Sequence, residues 1–186
     1  MTEKKFSIKD LEIDGCFLLF PKIYSDERGS FHEIFNKKFY DDFFKKKYKF
    51  VQDNISVSKK NVLRGLHFQA KNPQGKLLSV MKGSILDVIV DLRKNSKTFK
   101  KHIKIILNYK DKTSLWLTPG IAHGFCVLSK EALVNYKVTK YYNPKDEYTI
   151  RWNDKDLNID WPIKKPILSK KDKNFSISFS RALNYL

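Results

Sequence analysis

The chain has 186 residues and a mass of 22.0 kDa, and its 41% hydrophobic content suits one folded domain over residues 1–186 and excludes wholesale disorder. No apolar run has the length of a membrane span, and the first ten residues lack the apolar core of a signal peptide, so we expect a cytoplasmic protein. The net charge of +17 makes nucleic acid a candidate partner, but only five of the 37 cations are arginines and the lysines are spread along the whole chain, so we predict no nucleic-acid binding.

Short strand-like runs, separated by turn signals, recur along most of the chain. The turn signals are Asp-Glu-Arg-Gly at 26–29, Lys-Gly at 82–83 and Pro-Gly at 119–120. Many short strands joined by tight turns predict an antiparallel β-sandwich or barrel. The predicted strands are 16–23, 30–35, 51–57, 62–68, 76–81, 84–91, 102–107, 114–117, 124–128 and 132–139.

One segment, residues 36–47, has helical rather than strand periodicity. Its aromatic residues at 39, 40, 43 and 44 recur at helical spacing, and Asn36 is the predicted N-cap. The sequence therefore predicts a short amphipathic helix whose aromatic stripe packs against a sheet. Beyond residue 142 the chain is rich in loop signals, so we predict an irregular C-terminal arm.

Polar side chains recur inside these otherwise apolar strands. In the run 63–69, strand alternation predicts that His67 and Arg64 lie on opposite faces. Buried arginine and lysine are rare without an anionic partner, so we predict a polar-lined interior that holds an anion. The polar residues of this kind are Arg28, Glu33, Gln52, Asn54, Arg64, His67, Lys76, His123 and Tyr136.

An ordered series of motifs runs along the chain: DERG at 26–29, Phe31, Glu33, QDN at 52–54, RGLHFQ at 64–69, QGKL at 74–77, Gly83, DVIVDLR at 87–93, PGIAHGF at 119–125, Tyr136, Tyr142, Trp152, WP at 161–162 and LSKKD at 168–172. The series resembles the dTDP-4-dehydrorhamnose 3,5-epimerase family over about residues 15–172. The resemblance implies an all-β, cupin-like jelly-roll fold with short helices and an irregular C-terminal arm. It also implies a homodimer with exchanged N-terminal strands, in which Arg28 and Glu33 could serve the partner's site.

The reaction that the resemblance implies is proton exchange beside a ketone. The family acts on a nucleotide-linked 4-keto-6-deoxy sugar, whose ketone acidifies the hydrogens on C3 and C5. Epimerisation removes a proton from one face of the sugar and returns one to the other, so the site needs a base, an opposed acid and a cation or donor for the enolate oxygen. The resemblance assigns these roles to His67 as base, Asp172 as the carboxylate that orients it, Tyr136 as acid and Lys76 as the enolate-stabilising cation.

The same resemblance implies a set of substrate-binding residues. Arginine would suit the diphosphate oxygens, and Tyr142 is favoured over the alternative Tyr141 by its spacing from neighbouring motifs. The few histidines and the two cysteines, Cys16 and Cys126, lack metal-ligand spacing, so we predict no metal and no organic cofactor. The implied substrate-binding residues are Arg28, Phe31, Glu33, Gln52, Asn54, Arg64, His123 and Tyr142.

Several functions share these motifs. The leading prediction is an epimerase that inverts C3 and C5 of a dTDP- or GDP-linked 4-keto-6-deoxy sugar in surface polysaccharide biosynthesis. A C3-only epimerase and an enzyme for a GDP-linked 4-keto-6-deoxy-heptose would keep the same catalytic groups, and no residue decides between them. A non-catalytic sugar-nucleotide-binding protein is less favoured, because all four candidate catalytic groups are present.

Overall fold

The structure is a computed structural model, and it describes residues 6–186. Over these residues the strands form two antiparallel sheets and one separate hairpin. The strands are β1 (Phe6–Asp10), β2 (Phe17–Pro21), β3 (Tyr24–Asp26), β4 (Gly29–Phe31), β5 (Gln52–Lys59), β6 (Leu63–Gln69), β7 (Lys76–Lys82), β8 (Ser84–Asp91), β9 (His102–Asn108), β10 (Ser114–Leu117), β11 (Ile121–Val127), β12 (Glu131–Val138) and β13 (Glu147–Thr149).

The two sheets differ in strand number and interleave strands that are distant in sequence. The six-stranded sheet has the order β1-β2-β10-β7-β12-β5, the five-stranded sheet has the order β13-β6-β11-β8-β9, and the hairpin pairs β3 with β4. This arrangement confirms the predicted all-β antiparallel sandwich.

The main core lies between the sheets, where one face of each strand is apolar. Leu78 and Val134 of the six-stranded sheet pack in the same cluster as Ile89 and Phe125 of the five-stranded sheet. Because strand side chains alternate, polar residues at the same parity as these core residues also point between the sheets. The interior therefore continues from an apolar core into a polar end.

An aromatic cluster covers the outer face of the six-stranded sheet. Helix α1 (Lys37–Phe43) begins after Asn36, whose side chain accepts the N–H of Phe39 at 3.1 Å, as the predicted N-cap. Tyr40 on this helix is fully buried, and Trp116 of β10 packs beneath the same cluster. The prediction of a short helix with an aromatic face against a sheet is confirmed, although the helix ends at Phe43 rather than at 47.

The C-terminal arm covers the outer face of the five-stranded sheet. It contains helices α2 (Lys170–Asn174) and α3 (Phe179–Ala182), which the sequence analysis did not predict. Trp161 and Phe179 from the arm pack against Leu66 and Phe68 of β6. The arm therefore attaches to the back of the strand that carries His67.

Predicted and observed strands differ mainly at their ends. The predicted strands 84–91 and 114–117 coincide with β8 and β10, whereas 16–23 ends at Pro21 and 30–35 ends at Phe31. β11 begins at Ile121 rather than at 124, directly after the Pro-Gly turn. Among the described residues, no helix is long and apolar enough to cross a membrane.

Candidate active site

The polar end of the interior is a cavity of about 340 Å³ between the two sheets. Lys76, Tyr136 and the even-numbered positions of β5 reach it from the six-stranded sheet, and His67 and His123 reach it from the five-stranded sheet. The lining residues that sequence analysis predicted are Gln52, Asn54, Arg64, His67, Lys76, His123, Tyr136 and Tyr142.

His67 and Asp172 form a hydrogen-bonded pair at one wall of the cavity. Nε2 of His67 lies 2.6 Å from Oδ1 of Asp172, and the two side chains are 26% and 3% exposed. Burial opposes ionisation of Asp172, but hydrogen bonds from His67, Ser169 and the backbone of Gly65 outweigh it and lower the pKa of the carboxyl group. The pair can therefore hold an imidazole in one orientation and stabilise its protonated form.

Arg64 shares the cavity with His67, which corrects the prediction that the two lie on opposite faces. The pairing of β6 with β11 shifts register between His123 and Phe125, so the alternation of β6 is interrupted at Gly65. Gly65 has φ +112°, and a Cβ there would lie 2.6 Å from Cα of Gly124. The close approach of the two backbones requires glycine. The interrupted alternation brings Arg64 to the cavity, where its Nε donates to Ser58 Oγ at 2.9 Å.

A second histidine–carboxylate pair lies beside the first. His123 is the cross-strand partner of His67, and its Nε2 lies 2.7 Å from Oδ2 of Asp87. Asp87 is fully buried, and its other oxygen has no hydrogen-bond partner among the described residues. The sequence analysis did not assign Asp87 to the site. The signal was its parity in β8, because it lies on the interior face between Ile85 and Ile89.

Lys76 enters the cavity from β7. It is partly accessible because it lines the cavity, but protein surrounds its ammonium group, and this desolvation lowers the pKa to about 8. The negative charge of Asp87 acts in the opposite direction. An ammonium group in this position can stabilise negative charge that develops on a bound ligand.

Tyr136 approaches from the wall opposite His67. β12 belongs to the six-stranded sheet and β6 to the five-stranded sheet, so the phenol and the imidazole face the cavity from different layers. Burial raises the pKa of Tyr136, although Arg64 acts against this shift. The phenol therefore stays protonated at neutral pH and can donate a proton.

The sequence analysis missed two residues here, Glu147 at the mouth of the cavity and Lys171, which pairs with it. Glu147 of β13 lines the cavity, accepts a hydrogen bond from the Tyr142 hydroxyl at 3.1 Å, and forms an ion pair with Lys171 of α2. Tyr142 also donates its backbone N–H to Gln52 at 3.2 Å. Both missed residues lie in the C-terminal region that was predicted to be irregular, where no periodicity marks a face.

Three predicted binding residues lie outside the cavity of their own chain. The Arg28 side chain is 85% exposed and pairs with Asp26 at 2.5 Å in the β3–β4 hairpin. Phe31 and Glu33 line a separate surface groove with Lys22 and Tyr24. The chain by itself therefore does not bring Arg28, Phe31 and Glu33 together with His67. Over residues 6–186, no three His, Cys, Asp or Glu side chains are arranged to hold a metal ion.

The chain is similar to known proteins over most of its length. The sequence-family model of dTDP-4-dehydrorhamnose 3,5-epimerase matches residues 10–178. A dTDP-4-dehydrorhamnose 3,5-epimerase of Shigella flexneri is 47% identical over 88% of this chain and 91% of its own length. The dTDP-6-deoxy-D-glucose-3,5-epimerase of Legionella pneumophila Philadelphia 1, solved in complex with dTDP-4-keto-L-rhamnose, is 44% identical with a TM-score of 0.87, over 96% of this chain and 93% of that one. A 3'-monoepimerase of Streptomyces bikiniensis, solved with dTDP-quinovose, is 32% identical with a TM-score of 0.87, over 95% of this chain and 90% of that one.

Proposed function

The chain belongs to the dTDP-4-dehydrorhamnose 3,5-epimerase family, and we propose that it is an isomerase that inverts C3 and C5 of a dTDP-linked 4-keto-6-deoxy sugar in deoxysugar biosynthesis. The observation that carries this proposal is the placement of His67 and Tyr136 on opposite walls of one cavity. A sugar ring between them presents one face to a base and the other face to an acid, which is what inversion requires.

His67 is the proposed base. Asp172 engages Nε2, which leaves Nδ1 as the ring nitrogen that can accept a proton. Removal of the hydrogen on C3 or C5 breaks the C–H bond and moves its electron pair onto the C4 oxygen, which gives an enolate and an imidazolium. The carboxylate of Asp172 then stabilises the imidazolium through the 2.6 Å hydrogen bond.

Tyr136 and Lys76 complete the proposed proton transfer. The Lys76 ammonium stabilises the enolate oxygen, and the Tyr136 hydroxyl delivers a proton to the carbon from the opposite face. The carbon is thereby inverted and the ketone is restored. The tyrosinate regains a proton from solvent and the imidazolium loses one to solvent before the second carbon reacts, so each cycle is balanced.

Nucleotide binding is proposed at the mouth of the cavity. Arg64 offers a guanidinium to the diphosphate, and Tyr142, which is half exposed at the rim, offers a ring on which a base can stack. Gln52 donates to Asn54 at 2.8 Å, and this pair presents polar groups to the sugar.

Two buried thiols that form no disulfide support the expected cytoplasmic location.

A homodimer is part of the proposal, because three binding residues lie away from their own cavity. The β3–β4 hairpin carries Arg28 on an exposed turn and leaves Tyr24 and Phe31 51% and 67% exposed. An exposed hairpin with apolar side chains suits a contact with a second copy of the chain. In this arrangement Arg28 reaches the partner's cavity.

Mixing two inactive variants tests the shared site. Arg28→Ala and His67→Ala are co-expressed, and activity of the mixed dimers is compared with activity of each variant alone. If Arg28 serves the partner's site, each mixed dimer contains one intact site and activity returns. If Arg28 serves its own chain, both sites of the mixed dimer are defective and no activity returns.

Proton NMR in D₂O tests the reaction itself. dTDP- and GDP-linked 4-keto sugars are incubated with the protein, and we expect loss of both the H3 and the H5 signals of the dTDP-linked substrate, abolished by His67→Ala. Loss of H3 alone would establish a C3-only epimerase. Faster exchange of the GDP-linked sugar would show that the substrate is GDP-linked rather than dTDP-linked. Binding without exchange would show that the protein is a non-catalytic sugar-nucleotide-binding protein.

A further inference from the structure

Helix α2 lies in an arch, the segment 168–176 between two points at which the chain bridges to other segments. The chain before it is anchored where Ile167 bridges to Val62, and the chain after it where Ile177 bridges to Ile150. Between these anchors α2 is only five residues long and is capped by Ser169, whose hydroxyl accepts the N–H of Asp172 at 3.0 Å. The position of Asp172 therefore depends on how the arch is held against the sheet.

Lys171, the residue before Asp172, also attaches this arch to the sheet. Its ammonium forms an ion pair with Glu147 of β13, and it lies 6.0 Å from the ring centre of Tyr142. The Lys171 and Glu147 side chains are 39% and 16% exposed, so the pair is shielded from solvent more than an ordinary surface pair.

β13 connects this ion pair to β6, the strand that carries His67. It pairs with β6 in a register that places Glu147 opposite Gln69 and Thr149 opposite His67. The ion pair thus joins α2 to the direct neighbour of β6. The Tyr142 hydroxyl, which donates to the same carboxylate oxygen, adds a second restraint on Glu147.

We propose that the Glu147–Lys171 ion pair is a latch that holds α2 against β13 and so keeps Asp172 in hydrogen-bond contact with His67. Glu147 and Lys171 are positioning residues in this inference, because they act through the dyad rather than on the reacting carbons. The inference rests on the proposed function only for its kinetic consequence. The effect on the dyad can be measured in the protein without substrate.

The alternative role for Lys171 is a direct contact with the substrate's diphosphate. An ammonium at the mouth of an anion-binding cavity could serve that purpose, and the two roles predict different losses. A latch residue affects the proton-transfer step, because small displacements of a catalytic group reduce the rate strongly. A ligand contact affects the affinity for the nucleotide instead.

The experiment compares Lys171→Met, Glu147→Gln and the charge-swapped double variant Lys171→Glu/Glu147→Lys with a matched control, Lys170→Met. Lys170 lies next to Lys171 on α2 and is exposed, so its substitution removes a neighbouring charge without touching the pair. The low-field imidazole N–H resonance of His67 is measured in the substrate-free protein, and kcat, KM and the dTDP affinity are measured for each variant. The resonance is assigned by its absence in His67→Gln, and the signal of the His123–Asp87 pair serves as an internal reference.

We expect Lys171→Met and Glu147→Gln to weaken or broaden the His67 resonance and to lower kcat on the order of tenfold, with dTDP affinity unchanged. The charge-swapped variant should restore the His67 resonance and kcat in part. Lys170→Met should leave the resonance and kcat unchanged. An unaltered His67 resonance in Lys171→Met and Glu147→Gln would overturn the latch, and weakened dTDP binding with unchanged kcat would show that Lys171 is a ligand contact. If the wild-type protein catalyses no exchange, the proposed function fails, but the resonance still decides the inference.

Discussion

Lys76, whose ammonium group faces the cavity, should make the proposed activity of this protein sensitive to alkaline pH. Burial lowers the pKa of Lys76 to about 8 from 10.5, while Asp87 acts in the opposite direction. The proposed reaction needs the charged ammonium beside the enolate oxygen. We therefore expect kcat/KM, which reports the free enzyme, to fall as the pH rises through about 8.

Two substitutions separate the charge of Lys76 from its shape. Lys76→Met removes the cation and should lower kcat on the order of 100- to 1,000-fold, which is what the loss of one electrostatic contact to a developing oxyanion costs. Lys76→Arg keeps a cation that does not titrate in this range, so its activity should be lower but independent of pH through the same interval. Tyr136 does not interfere with this limb, because burial raises its pKa.

The lowered pKa of Lys76 also makes the stability of the fold depend on pH. The pKa of Lys76 is lower in the folded protein than in the unfolded chain, so unfolding takes up a proton between about pH 8 and pH 10.5. The free energy of unfolding should therefore rise across that interval, by an amount that the shift limits to roughly 3 kcal/mol. Lys76→Met should remove this dependence.

The assay is the initial rate of deuterium incorporation from D₂O, followed by proton NMR from about pH 6 to about pH 10, with enzyme-free controls at each pH. Chemical denaturation at the same pH values gives the free energy of unfolding. A wild-type kcat/KM that stays constant through the interval, or an alkaline fall that Lys76→Arg retains, would refute the assignment of this limb to Lys76.

Three further changes test other parts of the structure. Asp172→Asn should lower kcat on the order of 100- to 10,000-fold while calorimetry shows unchanged dTDP affinity, because the amide cannot stabilise the His67 imidazolium; weaker dTDP binding with an unchanged kcat would contradict this role. Hydrogen bonds from Arg93 and two hydroxyls outweigh the opposing effect of burial and lower the pKa of Asp91 to about 2, so Asp91→Asn should lower the free energy of unfolding by about 2 kcal/mol at neutral pH. The difference in stability between the wild type and Asp91→Asn should shrink as the pH falls from about 4 through about 2. If thermal unfolding showed the same difference at every pH in this range, the reasoning would be contradicted. Gly65→Ala should destabilise the fold by several kcal/mol, about the cost of forcing a Cβ against backbone, and an unaltered melting temperature would argue against the close approach.

The strands of the two sheets were predictable because their burial follows a local rule. β12 alternates between more and less buried residues over most of its length, whereas β8 and β10 are buried on both faces and are largely apolar runs bounded by turn signals. The short strand β13 and helices α2 and α3 contain too few residues for a period to be recognised. Their conformation depends on the sheet they pack against.

The face of β6 shows where local reasoning failed. Strict alternation separates Arg64 from His67, but the close approach of Gly65 to Gly124 interrupts the register and places both side chains in one cavity. The second glycine lies on another strand, far along the chain. No pattern within 63–69 reveals that contact.

The sequence by itself identified the family of the protein and the residues of the proposed chemistry. The ordered motifs around His67, Lys76 and Tyr136 contain the proposed base, cation and acid, and recognising these motifs requires no knowledge of distances. The all-β class follows from short strand-like runs separated by turn signals, which also depend on neighbouring residues only.

Only the tertiary structure decided which groups meet. Asp172 is 105 residues from His67, yet their side chains are 2.6 Å apart, and Asp87 lies buried against His123 although the sequence presents it inside an apolar strand. The physical reason is that the chain fixes the face of each strand locally, whereas strand order and the path of the C-terminal arm come from burial of apolar surface over long sequence separations. The geometry of the candidate active site is a property of that long-range packing.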